Sequence, residues 1–156
     1  MIILDTNVIS ELMRRTPAVA VTRWIDGLPT ASLYTTAITQ AEILHGVLLL
    51  PRGKRRDAIA AAAASMFEQD FAARVLPFGS DAARAYAEIA AARRRAGKPI
   101  SAFDAQIAAI ARASSAGVAT RNVDDFEGCG IHVTDPWRET CRGRVRGIDS
   151  RSLEVG

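Results

Sequence analysis

A chain of 156 residues, 49% apolar and 24% charged, has the size and composition of one ordinary globular domain, which excludes a disordered tail protein. The longest nearly apolar stretch, Ala58 to Phe67, is far short of the roughly 18 to 20 residues of a bilayer span, and two cysteines with two histidines are too few for a disulfide scaffold or a common zinc site. Of 20 basic and 17 acidic residues, five and three fall in 138–156, leaving 15 against 14 in 1–137, so any nucleic-acid affinity must come from local clusters rather than a global field.

The opening Met1-Ile2-Ile3-Leu4 is a short continuous apolar run, the pattern of a strand buried on both faces of a parallel sheet, and it stops at the polar Asp5-Thr6-Asn7. It carries neither the basic flank nor the apolar length of a secretory signal, so a cytoplasmic location is expected. Helical segments follow over Val8 to Arg14 and from Pro17 to Gly27. Ser32 to Thr36 reads as a second strand, and Ile38 to Leu50 as an amphipathic helix closed by Pro51. An Ala-rich helix is expected over Arg55 to Ala72, a third strand over Val75 to Phe78, and helices over Ser80 to Ala96 and Ser101 to Ser115. Strands at Val118 to Thr120 and Ile131 to Thr134 complete the series. Alternating strands and helices predict an α/β fold, a three-layer α/β/α sandwich with a mostly parallel central sheet. Residues 1–137 are expected to form one domain and 138–156 a basic, mobile tail with no periodicity.

Four acidic positions stand out: Asp5 after the first strand, Glu42 in the helix after the second, Asp104 in the helix from Ser101, and Asp125 beyond the Val118 strand. Each has a capping explanation, Asp5 as an N-cap and Thr39-x-x-Glu42, Ser101-x-x-Asp104 and Asn122-x-x-Asp125 as capping pairs. Together they point elsewhere, because an open parallel sheet sends all its strand-to-helix turns to one edge. Carboxylates gathered there repel one another and call for a cation, and oxygen-only donors suit Mg²⁺ or Mn²⁺. The reaction class this favours is hydrolysis of phosphodiesters.

The segments Ile2-Ile3-Leu4-Asp5-Thr6-Asn7-Val8-Ile9-Ser10-Glu11-Leu12, Thr39-x-Ala41-Glu42-Ile43-x-x-Gly46, Pro99-Ile100-Ser101-x-x-Asp104-Ala105 and Thr120-Arg121-Asn122-x-x-Asp125-Phe126 resemble, in order and spacing, the PIN-domain ribonucleases of the VapC type. The resemblance spans residues 1 to about 137. It implies a Mg²⁺- or Mn²⁺-dependent endoribonuclease toxin, usually dimeric, that cleaves tRNA or another structured RNA and is held inactive by an antitoxin encoded beside it. It also implies Asp5 and Asp104 as metal ligands, Glu42 as a ligand or the group positioning the attacking water, and Thr6 and Thr120 as supports. The family often carries Asp where this chain has Asn122, so the fourth acidic role is expected to pass to Asp125, with Asn122 in support.

Basic groups occur at Arg14-Arg15, Lys54-Arg55-Arg56, Arg93-Arg94-Arg95 with Lys98, and Arg121. Solvated helix faces account for most of these, while Arg14, Arg15 and Arg121, nearest the acidic motifs, are the candidates for RNA phosphate contact. His45 is expected to pack or face solvent rather than act as a base, and Cys129 to be buried. The run Val47-Leu48-Leu49-Leu50 exceeds what one helix face can hide, leaving part of it for a second subunit or an antitoxin helix. Among rival readings, an Asp-nucleophile phosphatase wants a second Asp where Asn7 stands, and a receiver domain wants a late-strand Lys, whereas the only lysines are Lys54 and Lys98. A catalytically silent PIN module that binds RNA or protein remains as the alternative.

Overall fold

The computed structural model describes residues 1–139, so the expected tail from residue 140 onward, Cys141 included, lies outside the described residues. The N-terminal apolar run forms β1 (Ile2–Leu4), joined by β2 (Leu33–Thr36), β3 (Val75–Leu76), β4 (Gly117–Ala119) and β5 (Val133–Thr134) in one wholly parallel sheet of order β3-β2-β1-β4-β5. Six α-helices link and cover them among the described residues: α1 (Thr6–Leu12), α2 (Val19–Asp26), α3 (Ala37–Leu49), α4 (Lys54–Ser65), α5 (Ser80–Arg95) and α6 (Ala102–Ala113). None is long and apolar enough to cross a membrane.

The period-two alternation of the central strands divides the core into two halves. Ile3 and Val118 face a cluster with Ile89 of α5 and Ile107 and Ile110 of α6, while Leu4 and Ala119 face a second cluster with Val8, Ile9, Val21, Ile43 and Phe67. That is the expected three-layer α/β/α arrangement. Both β1 neighbours are strands, so its C-terminal end lies at the middle of the sheet edge where all five strands point the same way.

Three local expectations are corrected. The Ala-rich helix does not run unbroken to Ala72; it ends at Ser65 and passes into a π turn over Met66–Asp70, which turns Met66, Phe67 and Phe71 into the core. The cap of α3 is Thr36, whose hydroxyl accepts from Thr39 N at 3.0 Å, so Thr39 is the third helical residue and not a cap for Glu42. Beyond β4 the chain makes a 3₁₀ turn over Val123–Phe126 instead of an α-helix opened by an Asn122 side-chain cap.

Candidate active site

Asp5 leaves β1 at the central sheet edge with only 4% of its surface exposed. It is the N-cap of α1: one carboxylate oxygen, Oδ1, accepts from Thr6 N at 2.7 Å. The other, Oδ2, accepts from the Thr120 hydroxyl at 2.8 Å and from Asn7 Nδ2 at 2.9 Å. Thr120 and Asn7 are themselves tied, Nδ2 donating to Oγ1 at 3.1 Å, and Asn7 Oδ1 accepts from Arg121 N at 3.0 Å. The Thr120 hydroxyl also accepts from Asn122 N at 3.1 Å. The capping reading of Asp5 is thus correct without being sufficient, because a cap needs one acceptor and this carboxylate uses both oxygens on three donors.

Burial pushes the Asp5 carboxyl up to about 6. Hydrogen bonds from Thr120 and Thr6 oppose that rise, and the charges of Asp104 and Glu42 add to it. Those two residues reach the same place from other elements, Glu42 from α3 and Asp104 from the first turn of α6. With Asp5 they border one open cavity of about 590 Å³, shared with Thr6, Asn7, Ser10, Glu11, Arg14 and Asn122. Glu42 accepts from the Thr6 hydroxyl at 2.5 Å, and Asp104 accepts from the Ser101 hydroxyl at 2.5 Å. Ser101 in turn caps α6, its Oγ accepting from Asp104 N at 3.1 Å, so the capping pair is formed and its acid still faces the cavity.

The donors fit a hard divalent cation in chemistry: four carboxylates, Asp5, Glu11, Glu42 and Asp104, and no thiol or imidazole line the cavity, and burial, with a smaller push from Asp104 and Glu42, raises Asp5. Among the described residues no three such side chains already close around a single point. Mg²⁺ does not require that, since it keeps several waters and is held by one or two carboxylates.

Asp125 is not brought there. It borders a separate hollow of about 270 Å³ with Arg121, Val123, Asp124, Asp135 and Arg138, and Asn122 is the residue common to both hollows. The Asn122-x-x-Asp125 spacing presumes a helical first turn, whereas the chain makes a 3₁₀ turn there and leaves Asp125 exposed. The arginines also separate. Arg14 stands at the cavity mouth, paired with Glu11 at 3.2 Å. Arg15 lines only a neighbouring groove of about 760 Å³ between α1, α3 and α4, and Arg121 lies over the Trp137 ring at 5.3 Å, beside the second hollow. Arg93 is not on a solvated face: it is 7% exposed and donates to the Glu127 carbonyl at 2.5 Å. His45 is exposed and Cys129 is a buried free thiol.

Two participants escape a reading of the sequence. Asn7 is legible only as the end of a strand, because its partner Thr120 lies 113 residues away. Glu11 is buried on the cavity wall, where its place in the last turn of α1 offers no sequence signal. The surplus of the Val47 to Leu50 run is real: Val47 is buried, while Leu48 and Leu49 are 64% and 71% exposed with Leu44 beside them.

The profile of the PIN domain matches residues 2–128. Over 137 residues, 88% of this chain and 98% of the relative, the sequence is 44% identical to the VapC ribonuclease Y4jK of Sinorhizobium fredii. Over 139 residues, 89% of this chain and all of the relative, it is 40% identical to toxin FitB of Neisseria gonorrhoeae. The crystal structure of FitAcB from that organism superposes with a TM-score of 0.84 at 40% identity, over 89% of this chain and 100% of the matched one.

Proposed function

The chain belongs to the PIN-domain family, and from that premise we propose that it is a Mg²⁺- or Mn²⁺-dependent endoribonuclease acting as the toxin of a toxin–antitoxin pair. The observation that carries the reading is the buried Asp5, fixed by three donors at the floor of a cavity that Glu42 and Asp104 also enter. The likeness to a VapC ribonuclease and to toxin FitB supports it.

In this reading Asp5 and Asp104 hold the cation, and Glu42 either joins them or orients the attacking water. The ion, when bound, supplies charge stabilisation at the phosphate and a water acidic enough to give hydroxide near neutral pH. Thr6 keeps the Glu42 carboxylate turned to the cavity, Thr120 and Asn7 prevent Asp5 from rotating, and Asn122 offers a neutral amide at the rim. Arg14 is the basic residue placed to meet a phosphate, while Arg15 and Arg121 stand further off and contribute charge to the approach. Residues 1–137 make up the nuclease unit. The substrate is tRNA or another structured RNA, and the compartment is the cytoplasm. The exposed Leu44, Leu48 and Leu49, with the apolar groove lined by Met13, Ile43, Val47 and Ile59, support a cognate antitoxin and a second copy of the chain as partners.

The test is cleavage of total RNA by purified protein with Mg²⁺, with Mn²⁺ and with EDTA, alongside Asp5→Asn and Asp104→Asn. Cleavage that needs the cation and both aspartates is the expected result. RNA binding without cleavage by any of them returns the protein to a silent binding module. Induction of the wild type without its partner is expected to slow growth and to yield new RNA 5′ ends.

A further inference from the structure

Glu11 is a fourth acid on the cavity wall, and it breaks two local rules. A carboxylate in the last turn of a helix opposes the macrodipole, and burial of a charge to 7% exposure is costly without partners. Both of its oxygens are engaged: Oε1 accepts from Ala18 N at 2.7 Å, at the residue that opens α2, and Oε2 accepts from Arg14 Nη1 at 3.2 Å. The Ala18 amide, with help from Arg14, holds the carboxyl below its ordinary range, so it carries its charge at neutral pH. Arg14 lies just past the end of α1 with two-thirds of its side chain exposed, and without Glu11 the long side chain has no other ion-pair partner among the described residues.

We propose that Glu11 is a positioning residue: it does not hold the cation but fixes the Arg14 guanidinium at the cavity mouth, where it meets an RNA backbone phosphate. This rests on the nuclease reading for the identity of the ligand. The geometry separates Glu11 from Glu42 and Asp104: both Glu11 oxygens already accept an N–H, one from a backbone amide and one from a guanidinium, whereas Glu42 and Asp104 each accept from a single hydroxyl. A cap for α2 alone needs only Oε1, so the Arg14 contact is the part that a purely structural role leaves unexplained.

The experiment compares Glu11→Gln, Arg14→Ala and the double variant in the full chain. RNA affinity is measured in EDTA with a short fluorescein-labelled single-stranded RNA of mixed sequence, and cleavage kinetics are measured across Mg²⁺ concentrations. The glutamine amide can satisfy Ala18 or Arg14 but not both. Each single variant is expected to weaken RNA binding about fivefold and to raise KM with little change in kcat, and the double variant to bind no more weakly than Arg14→Ala. The slope of log affinity against log salt is expected to become shallower by about 0.7 in Arg14→Ala. A rise in half-saturating Mg²⁺ for Glu11→Gln would make Glu11 a ligand and overturn the proposal. So would RNA affinity unchanged in Arg14→Ala, or a further loss in the double variant. Conservative Arg14→Lys separates charge from aim: affinity intermediate between wild type and Arg14→Ala is expected, and full retention together with unchanged Glu11→Gln affinity sinks the idea. If no variant or wild type cleaves RNA but the binding pattern holds, the nuclease reading fails and the positioning role stands.

Discussion

The two walls of the acidic cavity are built on different principles. On the β1–β4 side Asp5 is buried, accepts three hydrogen bonds and shares them with Asn7 and Thr120, which are tied to each other and to the following backbone. On the α3–α6 side Glu42 and Asp104 are half-buried, and each accepts from a single hydroxyl on a neighbouring element or cap. The first wall cannot adjust without breaking a network, and the second can adjust by rotating one side chain. Under the proposed metal-dependent reading, such a site would have one fixed oxygen donor group to set position and two adjustable ones to accommodate an ion and its waters.

The largest effect is expected from breaking the fixed wall at its centre. Asp5→Asn should reduce Mg²⁺-dependent RNA cleavage to background with the fold retained, as read by cleavage assay and circular dichroism, and Asp104→Asn should do the same through the adjustable wall. Asp5→Asn also carries a stability signature. The carboxyl is raised in the metal-free fold from 3.8 to about 6, so the native state binds the proton more tightly than the unfolded chain. The stability this group contributes is therefore complete below about pH 4 and is lost as pH rises through about 6, about 2 to 3 kcal/mol over the window. Denaturation of the metal-free proteins should show the difference between Asp5→Asn and wild type moving in favour of the variant by that order between pH 4 and pH 7. A constant difference would mean Asp5 is not strained by its burial.

Next in size is Asn7→Ala, which leaves Arg121 N without its acceptor and Asp5 with one donor fewer. A cost of about 1 to 3 kcal/mol and a cleavage rate about 10- to 100-fold lower are expected by urea titration and single-turnover kinetics. Thr6→Val tests the adjustable wall more gently. It frees Glu42 while leaving the backbone amide that Asp5 uses, and a loss of about tenfold in kcat with stability nearly unchanged is expected. If Thr6→Val were as damaging as Asn7→Ala, the two walls would not differ in kind. The smallest effect is expected at Asp125→Ala, whose cleavage curve against Mg²⁺ should superpose on the wild type, with Asn122→Ala the more harmful of the pair because Asn122 borders the cavity.

The same contrast explains what could be read in the sequence. The adjustable wall was legible because Glu42 lies in the helix that follows the second strand and Asp104 three residues after the cap Ser101, although the cap of α3 is Thr36 and not the Thr39 that the spacing suggests. The strand pattern around Ile2 to Leu4 likewise located Asp5. Thr120 is implied only by the family resemblance, and the bonds of the fixed wall were not legible, since they join residues 113 and 115 apart that no periodicity connects. Asp125 was misplaced for a local reason: Asn122-x-x-Asp125 fits a helical capping pair in sequence, whereas the chain makes a 3₁₀ turn there and leaves the acid exposed. The π turn after Ser65 is equally silent in an alanine-rich segment, where helix propensity favours continuation and the burial of Phe67 and Phe71 decides otherwise.

Placing β1 between β2 and β4 also fixes when in the life of the chain the site can exist. Asp5 leaves the ribosome long before the hydroxyl that completes its setting, which belongs to Thr120, 115 positions later. At about 5 to 20 residues per second, synthesis of that interval takes roughly 6 to 23 seconds. Throughout it the nascent chain holds β1 without β4, and a transcript broken before codon 120 yields a product whose first aspartate has no floor to stand on. The setting of Asp5 is therefore completed only once β4 and Thr120 have been made, a delay imposed by strand order alone.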